Sequence, residues 1–339
     1  MGSKRHMVHI LPRLETGLQL SQAIGLSKEL DEYAHSAIFG RVETTQLESA
    51  IAVLQANDLY VYFATLGFPG NLEDLIADLA GDLAIMYGGT AQFAPSGISS
   101  IEYSCGEYTP SGQCSTTVCC SEYATQFDTM GRTTELPDSV ECIHPMLPTL
   151  ALRNLRTTKK RDFTVGLINS GAGGKFPLEL AVYLTENLPR NMQLRLSSPD
   201  ENTEVLKTVA RGARHKGIHL HPVIPLPDRR LVKPLDVLIY ANAENYYTPY
   251  ALTAAEAMAM GIPVICENKG FPGSAFMHER ECLMFEPGDT EKVLEYIRCI
   301  KDNEYAAKQL AANGKLWAAG VDQIYYGNIF RSLIKELKL

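Results

Sequence analysis

The sequence predicts an α/β protein with two similar halves, and three observations lead to that prediction. Residues 237–266 read as a buried strand, a polar loop, a helix and a second buried strand, which is a βαβ unit. A comparable strand and loop restart at residue 163, after the basic and polar stretch 153–161. The 339 residues also exceed what one hydrophobic core usually fills, so two domains are expected.

Apolar runs and helical periodicity predict the order of the elements along the chain. The predicted strands are 8–11, 37–39, 59–63, 83–87, 115–119, 139–143, 163–168, 192–196, 218–222, 237–240 and 263–266. The predicted helices are 18–30, 71–79, 203–215, 250–260, 290–301, 304–317 and a terminal amphipathic helix over 325–337. Residues 98–113 are rich in Ser, Gly and Tyr and predict a loop, and Ser121 is expected to open a helix.

The composition is that of a globular enzyme and excludes several classes of protein. A net charge of −8 argues against a general nucleic-acid binder. No run approaches the roughly 18–20 apolar residues of a membrane span, so no transmembrane segment is expected. The first ten residues lack the apolar segment of a secretory signal, which favours a cytoplasmic protein and leaves peripheral membrane contact open.

The eight cysteines are expected to be reduced, structural thiols rather than metal ligands. Four of them crowd together between Cys105 and Cys120 and raise the question of zinc. Two of these four are adjacent on a predicted strand, whereas zinc ligands come at paired spacings on turns. We therefore predict no metal site.

The loop and helix between the strands 237–240 and 263–266 are suited to binding an anion. Pro249 can take the first helical position, with Thr248 as the cap whose hydroxyl meets a free N–H, and Gly261 ends the helix. In a βαβ unit this loop lies at the carboxyl edge of a parallel sheet. The unpaired N–H groups and positive dipole end of the helix then suit a phosphate.

The run AEAMAMGIPVI at residues 255–265 resembles the EAMAxGxPVI signature of retaining glycosyltransferases of the GT-B fold, above all glycosyltransferase family four. In that family the Glu of the signature holds the ribose hydroxyls of a nucleotide-sugar, a role that falls to Glu256. The N–H groups one turn earlier hold the diphosphate, and they correspond to Tyr250, Ala251 and Leu252.

The resemblance implies a GT-B fold, with two Rossmann-like domains facing each other across a cleft. Residues 1–150 would form the N-terminal acceptor-binding domain, and residues 151–320 the C-terminal domain that binds the nucleotide-sugar. Residues 321–339 would form the terminal helix that crosses back to the N-terminal domain.

Lys175 follows the strand 163–168 and a glycine-rich loop, an arrangement that suits a phosphate. It is not a Walker loop, because Phe176 follows the lysine and Asn169 stands where the first glycine should be. Relatives read roughly GRLxxxKG here, with an Arg and a Lys that neutralise the diphosphate. Lys175 matches that Lys, and the Arg position falls near Asn169 or Ser170, so one cation is missing.

The first half supplies weaker matches to the family. Gly17 stands in the loop after the first strand, where relatives often have two glycines that close over the donor phosphates and the acceptor. Gly88, Gly89 and Thr90 follow the strand 83–87, where relatives carry YHGS with a His near the reacting sugar carbon. Gly88 takes the position of that His, and the three residues are candidates for the acceptor side.

A further departure concerns the carboxylate that touches the donor sugar. The family carries an E-x7-E pair, and eight residues before Glu256 stands Thr248. The nearest acid is Glu244 in the same loop. Either Glu244 reaches the sugar through a longer loop, or Thr248 offers a hydroxyl instead; the register favours Thr248, because residues 249–251 then match the motif.

The resemblance implies a retaining, metal-independent transferase without a cofactor, with Lys175, Glu244 and Thr248 as the catalytic candidates. It would move a sugar from a UDP- or GDP-linked donor to a hydroxyl of a glycan or lipid acceptor, in polysaccharide, glycolipid or glycoside biosynthesis. Two alternatives stay open. A GT-B nucleotide-sugar epimerase would turn over without an acceptor, and a non-catalytic scaffold subunit would bind no nucleotide.

Overall fold

The computed structural model describes residues 4–12, 18–40, 51, 54–63, 72–87, 90–104, 113–133, 140–153, 162–168, 175–198, 200–213, 217–222 and 229–338. The chain divides into two compact units. Unit 1 comprises Met1–Met146 and Val321–Leu339, and unit 2 comprises Leu147–Gly320.

The described part of unit 1 contains a parallel sheet of seven strands in the order β3-β2-β1-β4-β5-β6-β7. The strands are β1 Arg5–Leu11, β2 Tyr33–Phe39, β3 Leu59–Phe63, β4 Leu83–Tyr87, β5 Ser99–Ser104, β6 Thr116–Cys119 and β7 Val140–Cys142. Its helices are α1 Leu18–Glu29, α2 Leu72–Asp78, a 3-10 turn Thr90–Phe93 and α11 Gln323–Glu336. Strand order reverses between β1 and β4, which makes this pair the topological switch point.

The described part of unit 2 contains a parallel sheet of six strands in the order β10-β9-β8-β11-β12-β13. The strands are β8 Phe163–Ile168, β9 Met192–Ser198, β10 Ile218–Pro222, β11 Val237–Tyr240, β12 Val264–Glu267 and β13 Leu283–Phe285. The helices are α3 Thr149–Arg153, α4 Leu178–Asn187, α5 Asp200–Ala213, α6 Arg229–Val232, α7 Leu252–Met260, α8 Phe271–Ala275, α9 Thr290–Asp302 and α10 Glu304–Gly320. The switch point lies between β8 and β11.

Helix α7 is buried on all sides and forms a central part of unit 2. Every residue from Thr253 to Met260 is buried, and the helix packs against α3 and α10. Gly314 of α10 makes room for it, because a Cβ at that glycine would lie 3.1 Å from Cγ of Met258. The helix ends at Gly261, whose φ of 72° is the left-handed cap that glycine adopts without strain.

Helix α11 belongs to unit 1 although it is last in the sequence. It packs against α1, where the side-chain amide of Gln323 donates to Glu29 Oε1 at 2.6 Å. Nε of Arg331 also donates to Glu32 Oε1 at 2.8 Å. No helix among the described residues combines the length and the apolar character needed to cross a membrane.

Two sequence-based predictions in unit 1 are wrong. The predicted loop 98–113 contains β5, a strand inside the sheet whose side chains include the buried Ser100 and Glu102. Polar residues at buried positions hide the apolar pattern on which strand prediction depends. The helix expected from Ser121 is a turn, in which Ser121 Oγ accepts from the N–H of Ala124 at 3.0 Å. This is the bond of a helix cap, but the turn stops at Phe127, which forms an isolated bridge with Thr133.

Candidate active site

The loops that follow β8 and β11 meet at the switch point of unit 2. Lys175 ends the loop after β8, and residues 241–251 connect β11 to α7. The backbone N–H of Ala243 donates to the carbonyl of Lys175 at 3.0 Å, which ties the two loops together. In open parallel sheets, ligands bind in the crevice at this point.

Lys175 brings a positive charge to this place. Its side chain is half-buried, and Nζ lies 4.8 Å from the centre of the Tyr246 ring, within cation–π range. The N–H of Tyr246 donates to the carbonyl of Ala243 at 3.0 Å, and this bond holds the backbone of Tyr246 in a turn. The ammonium therefore lies against the loop that leads into α7.

The start of α7 differs from the prediction. The helix begins at Leu252 with Ala251 as its cap residue, so the prediction that Pro249 occupies the first helical position is wrong. The predicted cap by Thr248 is also wrong, because its hydroxyl donates to the carbonyl of Tyr250 at 3.0 Å. Since alanine has no side-chain acceptor, the first N–H groups of α7 are left for water or a ligand.

Glu256 lies one turn further along α7. It follows Leu252 by four residues, so both side chains lie on the same face of the helix. The residue is only 2% exposed, and the rest of the helix is mainly Ala and Met. A carboxylate is costly at such a place, which indicates a specific role for it.

The two candidates for the sugar contact have different surroundings. Glu244 is exposed in the turn after β11. Thr248 is 4% exposed, and its hydroxyl lies 3.3 Å from the hydroxyl of Tyr240 in addition to its bond with Tyr250. The structure thus leaves the Glu244 carboxylate open to a ligand, whereas the Thr248 hydroxyl is held inside the protein.

Two buried charged residues beneath this loop were not found from the sequence. Glu267 ends β12 and Lys269 follows it, and they are 6% and 7% exposed. The sequence does contain a signal for them: a glutamate and a lysine stand at the end of an apolar strand, where the carboxyl edge of the sheet is expected.

Thr90 is the one acceptor-side candidate within the described residues. It follows β4 and is buried, and its hydroxyl donates to the carbonyl of Tyr87 at 2.8 Å. The carbonyl of Ile10, at the end of β1, lies 3.3 Å from the same hydroxyl. Thr90 therefore marks the switch point of unit 1. The remaining sequence-predicted candidates lie outside the described residues: Gly17, Gly88, Gly89, Asn169 and Ser170.

A buried chain of aromatic and imidazole groups crosses the core of unit 1. Nδ1 of His9 lies 3.1 Å from the hydroxyl of Tyr87, and Nε2 lies 3.0 Å from Nδ1 of His35. Nε2 of His35 lies 2.9 Å from the carbonyl of Leu30. Burial, followed by the nearby imidazoles of His35 and His6, lowers the pKa of His9 well below its ordinary value. Burial likewise lowers the pKa of His35.

The cysteines that the structure describes are free thiols. In unit 1, ligand-type atoms of Glu122, Cys142 and His144 lie within 4.8 Å of one another. Nε2 of His144 is 3.0 Å from Glu122 Oε2, and the imidazole stacks on Tyr326 with ring centres 5.4 Å apart. Burial, followed by the Glu122 charge, raises the pKa of the Cys142 thiol. The three side chains therefore lie against one another, with the imidazole of His144 paired to the Glu122 carboxylate.

Two doubly wound units, each with its own switch point, are the domain pattern of the GT-B fold. Solved structures of glycosyltransferases share this fold over nearly the whole chain. A glycosyltransferase from Rickettsia africae ESF-5 superposes with a TM-score of 0.76 at 12% identity, covering 98% of each chain. Anabaena HepE in complex with UDP and glucose gives 0.73 at 13%, covering 98% of this chain and 100% of that one. Sucrose-phosphate synthase from Thermosynechococcus elongatus gives 0.69 at 12%, covering 98% and 99%.

Residues 230–317 match the family model of glycosyl transferases group 1. This segment contains α7 and the strands on either side of it. No curated protein matches the sequence. The predicted GT-B fold class and the resemblance to group 1 glycosyltransferases are confirmed by these findings.

Proposed function

We propose that the chain is a retaining glycosyltransferase that moves a sugar from a nucleotide-diphospho-sugar to a hydroxyl acceptor, without a metal ion. One arrangement carries the proposal: the Lys175 ammonium and the start of α7 share the switch point of unit 2, with Glu256 one turn into the helix. The match of residues 230–317 to group 1 glycosyltransferases supports it.

The diphosphate of the donor would bind the N–H groups at Ala251 and Leu252 and the ammonium of Lys175. A helix N-terminus and a lysine both favour the negative charge that grows on the departing diphosphate. Because these donors are already in place before the bond breaks, they stabilise the transition state more than the bound donor. Tyr250 would add a further backbone contact, and Glu256 would accept the ribose hydroxyls.

The comparisons favour particular substrates within this class. HepE has been solved with UDP and with UDP-glucose, which supports a UDP-linked donor for this chain ahead of a GDP-linked one. WaaG, a fold neighbour with a TM-score of 0.68, is a glycosyltransferase involved in lipopolysaccharide biosynthesis. We therefore propose a glycan or glycolipid acceptor, as in polysaccharide or glycolipid biosynthesis.

Glu244 is the residue that we assign to the donor sugar. Its carboxylate is exposed in the loop that also carries Tyr246, whereas the Thr248 hydroxyl is engaged by Tyr250 and Tyr240. Retention of configuration follows if the acceptor hydroxyl attacks the anomeric carbon on the same face from which the diphosphate leaves. The bond to the diphosphate then breaks, and the leaving phosphate oxygen takes the proton of the hydroxyl. This route needs no separate general base.

The proposal is tested by binding and turnover on the full chain. Calorimetric titration of UDP, GDP and ADP should show binding of one nucleoside diphosphate, with UDP expected. Incubation of UDP-glucose with glycan acceptors in the presence of EDTA should give a product whose anomeric proton coupling in NMR matches that of the donor.

Each alternative has its own result in these measurements. The absence of nucleotide binding would leave a scaffold subunit, and a changed donor sugar without an acceptor would identify an epimerase. A product of inverted configuration would reject the retaining mechanism.

A further inference from the structure

The inference rests on the proposed function and concerns how the loop between β11 and α7 is held. Lys269 is buried, and Nζ donates to the carbonyl of Ala243 and to the carbonyl of Glu244, both at 2.9 Å. Lysine is almost never fully buried unless it is paired, because an ammonium loses its hydration there. Because this buried ammonium donates to two carbonyls of the loop, we infer that a fixed loop position is important for function.

Glu267 supplies the charge that compensates Lys269. Its carboxylate lies 3.6 Å from Nζ of Lys269, and Oε2 also accepts from the backbone N–H of Asn242 at 3.3 Å. Burial raises the pKa of the Glu267 carboxyl, and the ammonium beside it acts in the opposite direction. The ion pair thus holds Asn242, Ala243 and Glu244, three successive residues of the loop.

The remainder of the loop is held by the same segment. Nζ of Lys269 lies 5.2 Å from the centre of the Tyr247 ring, and the N–H of Phe271 donates to the carbonyl of Thr248 at 2.8 Å. Residues 267–271 therefore support the loop from Asn242 to Thr248. On the other side, Ala243 is bonded to the carbonyl of Lys175.

We propose that Lys269, compensated by Glu267, is a positioning residue for sugar transfer. It acts through the backbone of Ala243 and Glu244 and holds the Glu244 carboxylate where the donor sugar binds. The diphosphate would be held by the start of α7 and by the ammonium of Lys175. Lys269 reaches Lys175 through the backbone of Ala243 and does not bond its ammonium. Loss of Lys269 should therefore slow turnover more than it weakens binding of the nucleoside diphosphate.

The main test uses the double variant Glu267→Gln/Lys269→Met, because Lys269→Met alone leaves a buried carboxylate without its partner and can unfold the protein. The matched control is Glu295→Gln/Lys292→Met. Lys292 also pairs with a glutamate, at 2.9 Å, and lies 5.1 Å from the centre of the Tyr296 ring, but on the solvent-facing side of helix α9. Turnover of UDP-glucose, KM, UDP affinity and thermal midpoint are measured for both.

We expect kcat of the main variant to fall by about tenfold to a hundredfold, because displacement of a reacting group by about 1 Å has effects of this size. The UDP affinity of the main variant should stay at the wild-type value. The control variant should keep the wild-type kcat and the wild-type UDP affinity. The single variant Lys269→Arg should keep a higher kcat than the main variant, because a guanidinium can donate to the carbonyls of both Ala243 and Glu244.

A wild-type kcat in the folded Glu267→Gln/Lys269→Met variant would overturn this inference and leave the proposed function unaffected. An equal loss of kcat and UDP affinity would also overturn it, because Lys269 would then support the whole site. If wild-type protein shows no turnover with any donor, the proposed function fails and the inference fails with it.

Discussion

The ammonium of Lys175 lies 4.8 Å from the centre of the Tyr246 ring, so a residue that follows β8 rests on the loop that follows β11. A diphosphate arriving at the start of α7 would compete with this ring for the ammonium. Because an anion attracts the charge more strongly than a ring quadrupole does, binding should draw Lys175 away from Tyr246.

Lys175→Met should weaken binding of UDP. Loss of one charge-assisted contact to a phosphate is worth about 1.5–3 kcal/mol, which corresponds to roughly tenfold to a hundredfold in Kd. Calorimetric titration measures the change. The control is Lys207→Met, which removes an exposed lysine paired with Glu204 at 2.7 Å on α5. Equal affinities for the two variants would remove Lys175 from the phosphate site.

Glu256→Gln should weaken binding of UDP but not of inorganic pyrophosphate, because the carboxylate is assigned to the ribose and not to the phosphates. Calorimetry with both ligands separates the two contacts. Glu291→Gln, at an exposed position in the first turn of α9, is the control. A loss that is equal for UDP and pyrophosphate would show that the substitution disturbs α7 as a whole.

Glu244→Gln should lower kcat for sugar transfer and leave UDP affinity unchanged, because UDP lacks the sugar that the carboxylate would contact. Thr248→Ser keeps the hydroxyl that bonds Tyr250 and serves as its partner variant. Steady-state kinetics with UDP-glucose measure both. If Glu244→Gln is fully active, Thr248 or another group must meet the sugar.

Gly270→Ala should destabilise unit 2. Gly270 has a φ of 63°, and a Cβ there would lie 2.8 Å from the carbonyl oxygen and 2.9 Å from the nitrogen of Thr248. The expected cost is about 1–3 kcal/mol in the free energy of unfolding, measured by denaturant titration. Gly212→Ala is the matched control, because its Cβ meets open space near the end of α5 and should not lower the free energy of unfolding.

Acidification should destabilise unit 1 through His9 and His35. Both pKa values are lowered in the folded protein from an ordinary value of 6.5, so the unfolded chain binds more protons below that pH. Stability is therefore present above pH 6.5 and is lost as the pH falls below it, by up to about 1.4 kcal/mol per pH unit for each histidine.

The variant His9→Gln tests this pH dependence, measured as the unfolding midpoint between neutral and mildly acidic pH. The variant should show a flatter decline than wild type, whereas His219→Gln, which changes an exposed imidazole in β10, should not. A decline of the same steepness in His9→Gln would assign the acid sensitivity to other groups.

The local pattern of apolar residues in the sequence was sufficient to predict much of the fold. Strands with continuous apolar and β-branched runs were predicted from end to end, as at Leu59–Phe63, Phe163–Ile168 and Val237–Tyr240. Ser99–Ser104 was missed because buried serines and a buried glutamate occupy a strand inside the sheet. That strand is stabilised by its two neighbours, which is information that a short window does not contain.

The parts of the candidate site that follow directly after a strand of the sheet could be predicted from the sequence. The anion-suited loop before α7 and the lysine after β8 follow from βαβ topology, because both lie at the same carboxyl edge of the sheet. The role of Lys269 was not predictable, since it depends on the register that brings residues 267–271 beneath residues 242–248. The start of α7 was misplaced because Thr248 bonds to Tyr250 instead of to the helix.

Unit 1 is assembled from both ends of the chain, because α11 packs on α1 across nearly the full sequence. Residues 147–320 contain all of unit 2, so unit 2 can complete its own core without α11, whereas unit 1 cannot. Without α11 the α1 surface near Glu29 and Glu32 is uncovered. A chain truncated after residue 320 should thus be protease-resistant in residues 147–320 and sensitive in residues 1–146.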